Sequence, residues 1–402
     1  MARRTARTAA PTSSWSTEAS GGAAGPVARP LTVLQLLPAL ESGGVERSTL
    51  EISAALVAAG HRALVASDGG RLLPALLRTG AGHVPLAVGR KSPATLALVR
   101  PLRRLLREQR VDIVHARSRL PAWIAWLALR GLPAAGRPRF VTTVHGLNSP
   151  SRYSQVMARG ERVICVSNTV RAHVLRHYPS TDAARLRVVP RGIDAGAFPR
   201  APWPDAAARA AVAAREPRLG GAGPLLLLPG RGTRLKGHAD ALSLLAALRG
   251  DGLDARLWMP GARDPERAAY VAEMEAHARA LGVAGAVAIT PPTDAIAAAY
   301  AAADLVLQLS RRPEAFGRTV VEAHAVGRPV LGWDHGGVGE LLKELQPDGA
   351  VAPFDAAALA ARARVLLARQ GAHPATMPGS VPDRYSLRSM QHATLSVYDE
   401  LR

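Results

Sequence analysis

Short apolar segments alternate with longer helical segments along most of this chain, and that alternation most constrains its fold. Residues 31–37 form a continuous apolar segment, Gly43 and Gly44 precede a helical segment that ends at Gly60, and residues 61–67 are apolar again. An apolar strand, a glycine-rich turn, a helix and a second apolar strand make a βαβ unit. Because the same alternation continues beyond this unit, the sequence predicts an α/β fold.

Two such α/β runs follow one another in 402 residues, a length that is sufficient for two or three domains. The segment between them is rich in Ala, Pro and Gly, and the first 29 residues have the polar composition of a disordered tail without the apolar core of a secretory signal. We therefore predict a basic tail over 1–30, an N-terminal domain over 31–200, a linker over 201–223, a C-terminal domain over 224–382 and a terminal helix over 383–402.

The chain is strongly basic, and arginine carries almost all of the positive charge. The formal net charge is +20, and only Lys91, Lys236 and Lys343 are lysines. This charge favours anionic partners such as phosphates, acidic lipid headgroups or nucleic acid. Nucleic acid is the least favoured of these partners, because aromatic residues make up only 4% of the chain and no nucleic-acid-binding module is recognisable.

Cys165 is the only cysteine, so no intrachain disulfide can form, as expected of a protein in a reducing compartment. It lies in the apolar run 163–166, which predicts a buried core thiol rather than a nucleophile. No apolar run reaches the ~18 residues needed to span a bilayer. These features predict a cytoplasmic protein.

The loop after the first strand of the second run carries two cations. Arg231 and Lys236 follow the apolar segment 224–228, in a glycine-rich loop that lacks the Gly-Lys-[Ser/Thr] order of a Walker loop. A forked guanidinium and a compact ammonium at a strand end could together bind a diphosphate. Two solvated loop cations are the alternative, although a lysine in so arginine-rich a chain favours a specific role.

Two carboxylates flank the start of a helix in the segment 311–337. Glu314 follows the apolar strand 304–309, and Glu322 lies in the helix that Phe316 and Gly317 open. First-turn backbone N–H groups have no partner inside a helix and form a ready anion site. Two acids at this spacing could bind a polyol and its phosphate; the alternative is a helix cap followed by an exposed helical acid.

Two strands of the first run end in histidine. His115 and Arg117 follow the apolar segment 111–114, and His145 follows the segment 140–144. Strand ends in open α/β sheets border the ligand cleft, so each histidine could contact a substrate. A lone histidine that is simply hydrogen-bonded is the alternative.

The pattern Glu-Ala-Phe-Gly, seven residues between the two acids, Glu-Ala, Gly-Arg-Pro-Val and then Gly-Gly resembles the donor-binding signature of family-four retaining glycosyltransferases. The glycine turn after the first strand, the Gly-Arg and Lys-Gly pairs around Arg231 and Lys236, and the phrase Val-Pro-Arg-Gly-Ile-Asp at 189–194 resemble other segments of that family. The resemblance implies the GT-B fold: two Rossmann-like domains facing across a cleft, with a C-terminal helix that crosses back to the N-terminal domain.

The resemblance also implies a role for each candidate residue. The catalytic group would comprise Arg231, Lys236, Glu314 and His115. Donor binding would involve Gly43, Gly44, Phe316, Gly317 and Glu322, and the acceptor side His145 and Arg117. In this scheme Glu314 contacts sugar hydroxyls, Glu322 the ribose, and Arg231 and Lys236 the diphosphate, while His115 lines the reacting face.

The activity expected from the resemblance is sugar transfer with retention from a nucleotide-diphosphate sugar to a glycan or lipid-linked acceptor, of the lipopolysaccharide or cell-envelope type. No Asp-x-Asp sequence occurs, so neither a metal nor another cofactor is expected, and the nucleotide sugar is a co-substrate. The segment 94–110 alternates leucines with arginines and predicts either a helix packed on the core or a basic face on the inner surface of the plasma membrane.

Three other classes of protein remain open from the sequence alone. A nucleotide-sugar epimerase would share the architecture and the donor contacts. An NAD-dependent oxidoreductase is disfavoured because the dinucleotide fingerprint is missing after the first strand. A nucleic-acid-binding protein would rest on charge alone.

Overall fold

The computed structural model describes residues 29–41, 43–90, 92–369 and 380–402. The predicted tail over 1–30 lies outside the described residues, apart from Arg29 and Pro30. Leu31–Arg402 form one unit of contiguous contacts.

Seven parallel strands form the first sheet, in the order β3-β2-β1-β4-β5-β6-β7. Most of their interior positions are buried and apolar, as expected for a parallel sheet covered on both faces by helices. The strands are β1 (Thr32–Leu36), β2 (Arg62–Ser67), β3 (Gly82–Pro85), β4 (Ile113–Ala116), β5 (Arg139–Val144), β6 (Arg162–Cys165) and β7 (Leu186–Val188). Cys165 is fully buried, and burial raises the pKa of its thiol to about 12, which confirms the predicted core position.

Five α-helices connect these strands: α1 (Gly44–Ala58), α2 (Leu73–Arg78), α3 (Val99–Glu108), α4 (Arg119–Arg130) and α5 (Asn168–His177). The predicted helix over 94–110 is divided into a 3₁₀ segment, Pro93–Leu98, and α3. Pro101 is compatible with α3 because it occupies the first turn, where a missing N–H breaks no intrahelical hydrogen bond.

Six parallel strands form the second sheet, in the order β10-β9-β8-β11-β12-β13. The strands are β8 (Leu225–Leu227), β9 (Arg256–Pro260), β10 (Val287–Thr290), β11 (Leu305–Gln308), β12 (Val330–Trp333) and β13 (Ala350–Val351). The helices are α6 (Ala206–Arg215), α7 (His238–Gly250), α8 (Ala268–Ala280), α9 (Ile296–Ala302), α10 (Arg318–Val326), α11 (Gly336–Leu345), α12 (Ala356–Ala368) and α13 (Leu387–Asp399). No helix of the described residues combines the length and hydropathy needed to cross a membrane.

The segment predicted as a linker, 201–223, is instead packed on the second half of the chain. It contains α6, which lies against α9. The fully buried guanidinium of Arg328 donates hydrogen bonds to the carbonyls of Ala201, Pro202 and Ala301. The Ala- and Pro-rich composition suggested a linker. Instead, hydrogen bonds from Arg328 to the carbonyls of Ala201 and Pro202 hold the segment against the second half of the chain.

The last helix, α13, packs along α1 in the first half of the chain. Gln391 donates a hydrogen bond to the carbonyl of Glu51, and the carboxylate of Glu400 forms ion pairs with Arg162 and Arg187 at 2.5 and 2.7 Å. These contacts agree with the predicted crossover of the C-terminal helix. The hydrogen bond from Arg187, together with Arg162, lowers the pKa of the Glu400 carboxyl to about 2.

We expect Glu400→Gln to lower the free energy of unfolding by about 1 kcal/mol at pH 7, a modest value because the carboxylate is about one-third exposed. A depressed native pKa stabilises the fold above the unfolded-state pKa, and that stabilisation is lost as the pH falls toward 2. Urea denaturation at pH 7, 4.5 and 3 should therefore show a shrinking difference from the wild type. Glu108→Gln, in the exposed pair with Arg104, is the control, and a pH-independent difference would contradict the assignment.

Candidate active site

Each sheet has a point at which its strand order reverses, and the candidate residues lie around these two points. In the first sheet β1 lies beside β4, and in the second β8 lies beside β11, so the chain leaves these neighbours in opposite directions. Ligands of open α/β sheets bind outside the carboxyl ends of strands at such switch points. The glycine turn after β1 and the loops after β4, β8 and β11 all start there.

Lys236 and Glu314 form the central contact of the second sheet's switch point. The ammonium Nζ lies 2.6 Å from Glu314 Oε1, and both side chains are about one-quarter exposed. Gly237 has a φ of 75°, and a Cβ there would lie 2.0 Å from the carbonyl oxygen of Leu309. Only glycine therefore permits the loop after β8 to pack on the end of β11, and this packing brings Lys236 to Glu314.

Arg231 lies on the same loop, but its side chain is exposed and has no polar partner within the described residues. Its neighbour Gly230 has a φ of 153°, and a Cβ there would lie 3.5 Å from Lys236 Cδ. Arg231 and Lys236, the two residues predicted to bind the diphosphate, are thus close to each other on the loop. Of the two, only Lys236 contacts Glu314.

The Gly-Gly turn at 336–337 packs directly on the loop that carries Glu314. Gly337 N–H donates to the carbonyl of Glu314 at 2.7 Å, and a Cβ on Gly337 would lie 2.5 Å from Phe316. His335 Nε2 donates to the carbonyl of Ser310 at 2.8 Å. This packing explains why glycines are needed at this distance from the first acid.

The helix after Glu314 begins slightly later than predicted. Gly317 is the N-cap of α10, and Arg318 is its first residue, so the amides of Phe316 and Gly317 precede the first turn. Within the described residues, the N–H groups of Phe316, Gly317 and Arg318 have no acceptor. They therefore retain the capacity to bind an anion.

Glu322 is held by two protein donors. Its carboxylate accepts hydrogen bonds from Tyr300 Oη at 2.9 Å and from Arg318 Nε at 2.7 Å, and the side chain is 8% exposed. Burial, and then the Glu322 charge, raise the pKa of Tyr300 well above its usual value, so Tyr300 remains a donor. The carboxylate retains free lone pairs for a further donor, and its ribose role stays a prediction.

The structure corrects the prediction for His115. This side chain is fully buried, with Nδ1 hydrogen-bonded to Tyr398 Oη at 2.7 Å and Nε2 to Thr143 Oγ1 at 2.6 Å. Burial, and then the charge of Arg117, lower its pKa well below the usual value. Because α13 covers the strand face from which His115 projects, the ring is not available to line the reacting face.

The two predicted acceptor-side residues lie near the carboxyl edge of the first sheet. Arg117 is buried and donates to Gln35 Oε1 at 2.6 Å and to Ser48 Oγ at 2.5 Å. His145 is half-buried, and its Nδ1 accepts a hydrogen bond from Arg191. Their acceptor role is untested by these contacts.

The two glycines of the turn after β1, Gly43 and Gly44, differ in backbone conformation and surroundings. Gly43 has a φ of 147° and is the N-cap of α1, a conformation that favours glycine. No atom lies within 4 Å of a Cβ built on Gly44, so the backbone there borders open space. The backbone at the start of the first helix is thus unobstructed at Gly44, and the donor-binding role of this turn stays a prediction. No group of three metal-ligating side chains occurs in the described residues.

Sequence reasoning missed the residues that tie the two halves together beside the site. Ser167 Oγ donates to the carbonyl of Ala315 at 2.6 Å, next to Glu314. The Glu340 carboxylate on α11 accepts from the N–H groups of Asn168 and Thr169 at 3.0 and 2.8 Å and caps α5. No local signal identifies Glu340 as a cap, because the helix that it caps lies 172 residues away in the sequence.

Comparison with known families agrees with this architecture. The family model described as "Glycosyltransferase Family 4" matches residues 42–196, and the one described as "Glycosyl transferases group 1" matches residues 214–377. Two glycosyltransferase domains, each with a parallel sheet, define the class of GT-B glycosyltransferases. The chain has the GT-B fold of glycosyltransferases, with a match to the family-four model in its first half and to the group 1 model in its second half.

Relatives in sequence carry one recurrent name. A D-inositol 3-phosphate glycosyltransferase of Actinosynnema mirum is 31% identical over 252 residues, which cover 56% of this chain and 57% of that protein. One from Xylanimonas cellulosilytica is 35% identical over 188 residues, covering 46% and 43%. The chain thus spans about half the length of the curated relatives it matches.

Solved structures share the fold over nearly the whole chain. A glycosyltransferase from Rickettsia africae has a TM-score of 0.80 and 27% identity, covering 93% of this chain and 99% of that one. Anabaena HepE in complex with UDP-glucose has a TM-score of 0.73 and 19% identity, covering 92% and 100%. WaaG, a glycosyltransferase involved in lipopolysaccharide biosynthesis, has a TM-score of 0.64 and 18% identity, covering 92% and 98%.

We expect Glu340→Ala to lower the free energy of unfolding by ~1–2 kcal/mol, because it removes a helix cap that joins the two halves. Chemical denaturation of wild type and variant measures the difference. Glu266→Ala is the matched control, since Glu266 is exposed and its carboxylate has no partner within the described residues. Equal stability losses in the two variants would show that the cap contributes nothing specific.

Proposed function

We propose that this protein is a retaining, metal-independent glycosyltransferase that transfers a sugar from a nucleotide-diphosphate sugar to a glycan or lipid-linked acceptor. The observation that carries the proposal is the Lys236–Glu314 contact at a sheet switch point, beside unpartnered amides at the start of α10. A cation, a carboxylate and helix N-terminal amides are the groups needed to hold a diphosphate and the sugar attached to it.

The chemistry follows from where charge develops in the reaction. Departure of a nucleoside diphosphate leaves negative charge growing on its β-phosphate, and preorganised donors aimed there stabilise the transition state more than the ground state. Glu314 forms an ion pair with Lys236. When the donor is bound, its phosphate would replace Glu314 as the counter-ion of Lys236, and Glu314 would accept hydrogen bonds from sugar hydroxyls.

The remaining parts of the proposal each have their own support. Independence from metal is supported by the cations of this loop, which supply positive charge at the diphosphate, and by the lack of an Asp-x-Asp sequence. Retention of configuration rests on the family resemblance. The names of the sequence relatives favour a phosphorylated polyol as acceptor, whereas a lipopolysaccharide or other cell-envelope acceptor is supported only by fold neighbours such as WaaG.

We expect Lys236→Ala to lower kcat/KM about 10²–10³-fold, by analogy with the loss of one oxyanion-hole donor. A panel of nucleotide sugars is first screened by thermal shift, because a ligand that binds only the native state raises its Tm. Turnover of the best donor is then measured for the wild type, for Lys236→Ala and for the control Lys343→Ala, whose exposed ammonium pairs with Asp334 away from Glu314. Wild-type turnover in Lys236→Ala would remove the diphosphate assignment.

We also propose that the first half of the chain rests on an anionic membrane surface through α3. Leu102 and Leu106 of α3 are buried, whereas Arg100, Arg104 and Arg107 are exposed. The neighbouring helix α4 carries Trp126, whose half-buried ring packs against the guanidinium groups of Arg130 and Arg159 at 4.7 and 4.4 Å. Arginines beside an amphipathic indole suit a headgroup interface. Arg103 is excluded from this role, because it donates to carbonyls of α4.

Reversal of the three exposed arginines, Arg100→Glu, Arg104→Glu and Arg107→Glu, should abolish most of the sedimentation with phosphatidylglycerol vesicles. Each basic residue near an anionic surface contributes about 1 kcal/mol, and the effect should fall with added salt. The control reverses three exposed arginines elsewhere, Arg215, Arg218 and Arg362, and keeps the same net charge. Equal binding by both variants would show that net charge alone determines sedimentation, and it would reject the proposed membrane role of α3.

A further inference from the structure

Three arginines interact electrostatically with one carboxylate where the second half of the chain approaches the first. Arg318, the first residue of α10, places Nη2 3.8 Å from Glu51 Oε1 on α1. Arg117 follows β4 and Arg191 follows β7, and the charge of Glu51 raises the pKa of both against the larger lowering by burial. The charges of Arg117 and Arg318 in turn lower the pKa of Arg191, so we treat the three cations as one group.

This group carries more positive charge than its own carboxylates can neutralise. Arg318 is paired with Glu322, which leaves Glu51 to balance both Arg117 and Arg191. Among the residues that the structure describes, Arg117 hydrogen-bonds only to the neutral side chains Gln35 and Ser48, and Arg191 only to the His145 ring. Burial lowers the pKa of Arg117 to about 10 and that of Arg191 to about 9, so both remain charged at neutral pH. A buried cation without a counter-ion costs several kcal/mol, and native proteins normally compensate for it.

His145 adds a hydrogen-bond donor without an acceptor. Because its Nδ1 accepts a hydrogen bond from Arg191, the neutral ring carries its proton on Nε2. Burial, followed by the charges of Arg191 and Arg117, lowers the pKa of His145 well below the usual value and keeps the ring neutral. Within the described residues, Nε2 of His145 and Nε of Arg117 are buried donors without a partner, and Oε2 of Glu51 is a buried acceptor without one. The unpaired groups thus include one acceptor, and it is the excess positive charge of the group that calls for an anion.

The accessible members of the group face the carboxyl edge of the first sheet. Arg191 and His145 are half-buried, whereas only 3% of Arg117 is exposed. Arg191 can therefore touch a ligand, whereas Nε2 of His145 is buried and its Nδ1 holds the Arg191 guanidinium. Arg117 is a positioning residue, which adds positive potential from behind and ties Gln35 of β1 to Ser48 of α1.

We propose that Arg191 binds a phosphate-type anionic group of a substrate, with His145 orienting its guanidinium and Arg117 supplying charge behind them. This inference rests on the proposed sugar transfer. It extends that proposal to residues that are not part of the Lys236 and Glu314 site. The anion has two possible sources, the diphosphate of the donor and a phosphate carried by the acceptor. Both present the same oxygens to a guanidinium fork.

Inorganic phosphate and UDP are the probes, with binding measured by calorimetry on the full chain. We expect Arg191→Gln to weaken the binding of the anion about 10- to 100-fold, the range that charge-assisted hydrogen bonds provide. The wild type is titrated with phosphate both alone and saturated with UDP. Phosphate that binds the UDP-saturated protein and is lost in Arg191→Gln assigns the group to the acceptor. Phosphate that competes with UDP, together with weaker UDP binding by Arg191→Gln, assigns it to the donor.

A matched control and a stability measurement separate binding from structure. Arg185→Gln removes an exposed guanidinium six residues earlier, and it should bind phosphate and UDP as the wild type does. Without ligand, Arg191→Gln should keep or raise Tm, because it removes an excess buried cation. If Arg191→Gln does not fold, Arg191→Lys carries the test, with its charge retained and its fork lost, and an intermediate affinity is expected.

The inference is overturned if Arg191→Gln and His145→Ala bind phosphate and UDP as the wild type does, or if the wild type binds neither probe. It can fail separately from the proposed function. Lys236→Ala should lose UDP binding whether or not the Arg191 group binds an anion. Phosphate binding that depends on Arg191, in a protein that no nucleotide sugar stabilises, would keep the anion site and reject the transferase.

Discussion

Backbone packs directly on backbone around Glu314, and the rest of the candidate site depends on that contact. Gly237 lies against the end of β11, and Gly337 lies against Phe316, each at a distance that no Cβ could occupy. These contacts hold the loop after β8 and the first turn of α11 against the segment that carries Glu314. Lys236 is the residue before Gly237, so the same packing sets the 2.6 Å contact between its ammonium and Glu314.

Electrostatic balance is the second constraint on this molecule. The chain carries a net charge of +20, and its candidate site gathers further cations into places where water is partly excluded. Some of them have a carboxylate of their own, as Lys236 has Glu314 and Arg318 has Glu322. Arg191 has none at hydrogen-bonding distance, since it meets only a neutral ring. In a phosphate-binding protein, a phosphate could replace the carboxylate that is paired with a cation. A cation without a carboxylate would instead take its counter-ion from the ligand.

Much of the fold was predictable because parallel strands are continuous apolar runs and their helices start and stop at glycines. The end of α10 at Gly327 and the burial of Cys165 follow from such local patterns. The segment 201–223 was not predictable from composition, since Arg328, which holds it, lies 127 residues from Ala201. His115 was misjudged for a related reason. A strand-end position does not reveal that a helix 283 residues later covers the ring with Tyr398.

By itself the sequence determined the order of strands and helices, and it placed Lys236 and Glu314 each after the carboxyl end of a strand, where open α/β sheets bind ligands. Only the tertiary structure decided that β8 and β11 lie side by side and bring the two residues together, because β9 and β10 come between them in the sequence. It also decided that Ser167 and Glu340 join the two halves and that Arg318 approaches Glu51. Those contacts depend on how whole helices and loops pack against each other, and that packing is set by the combined shape and charge of both halves rather than by any local run of residues.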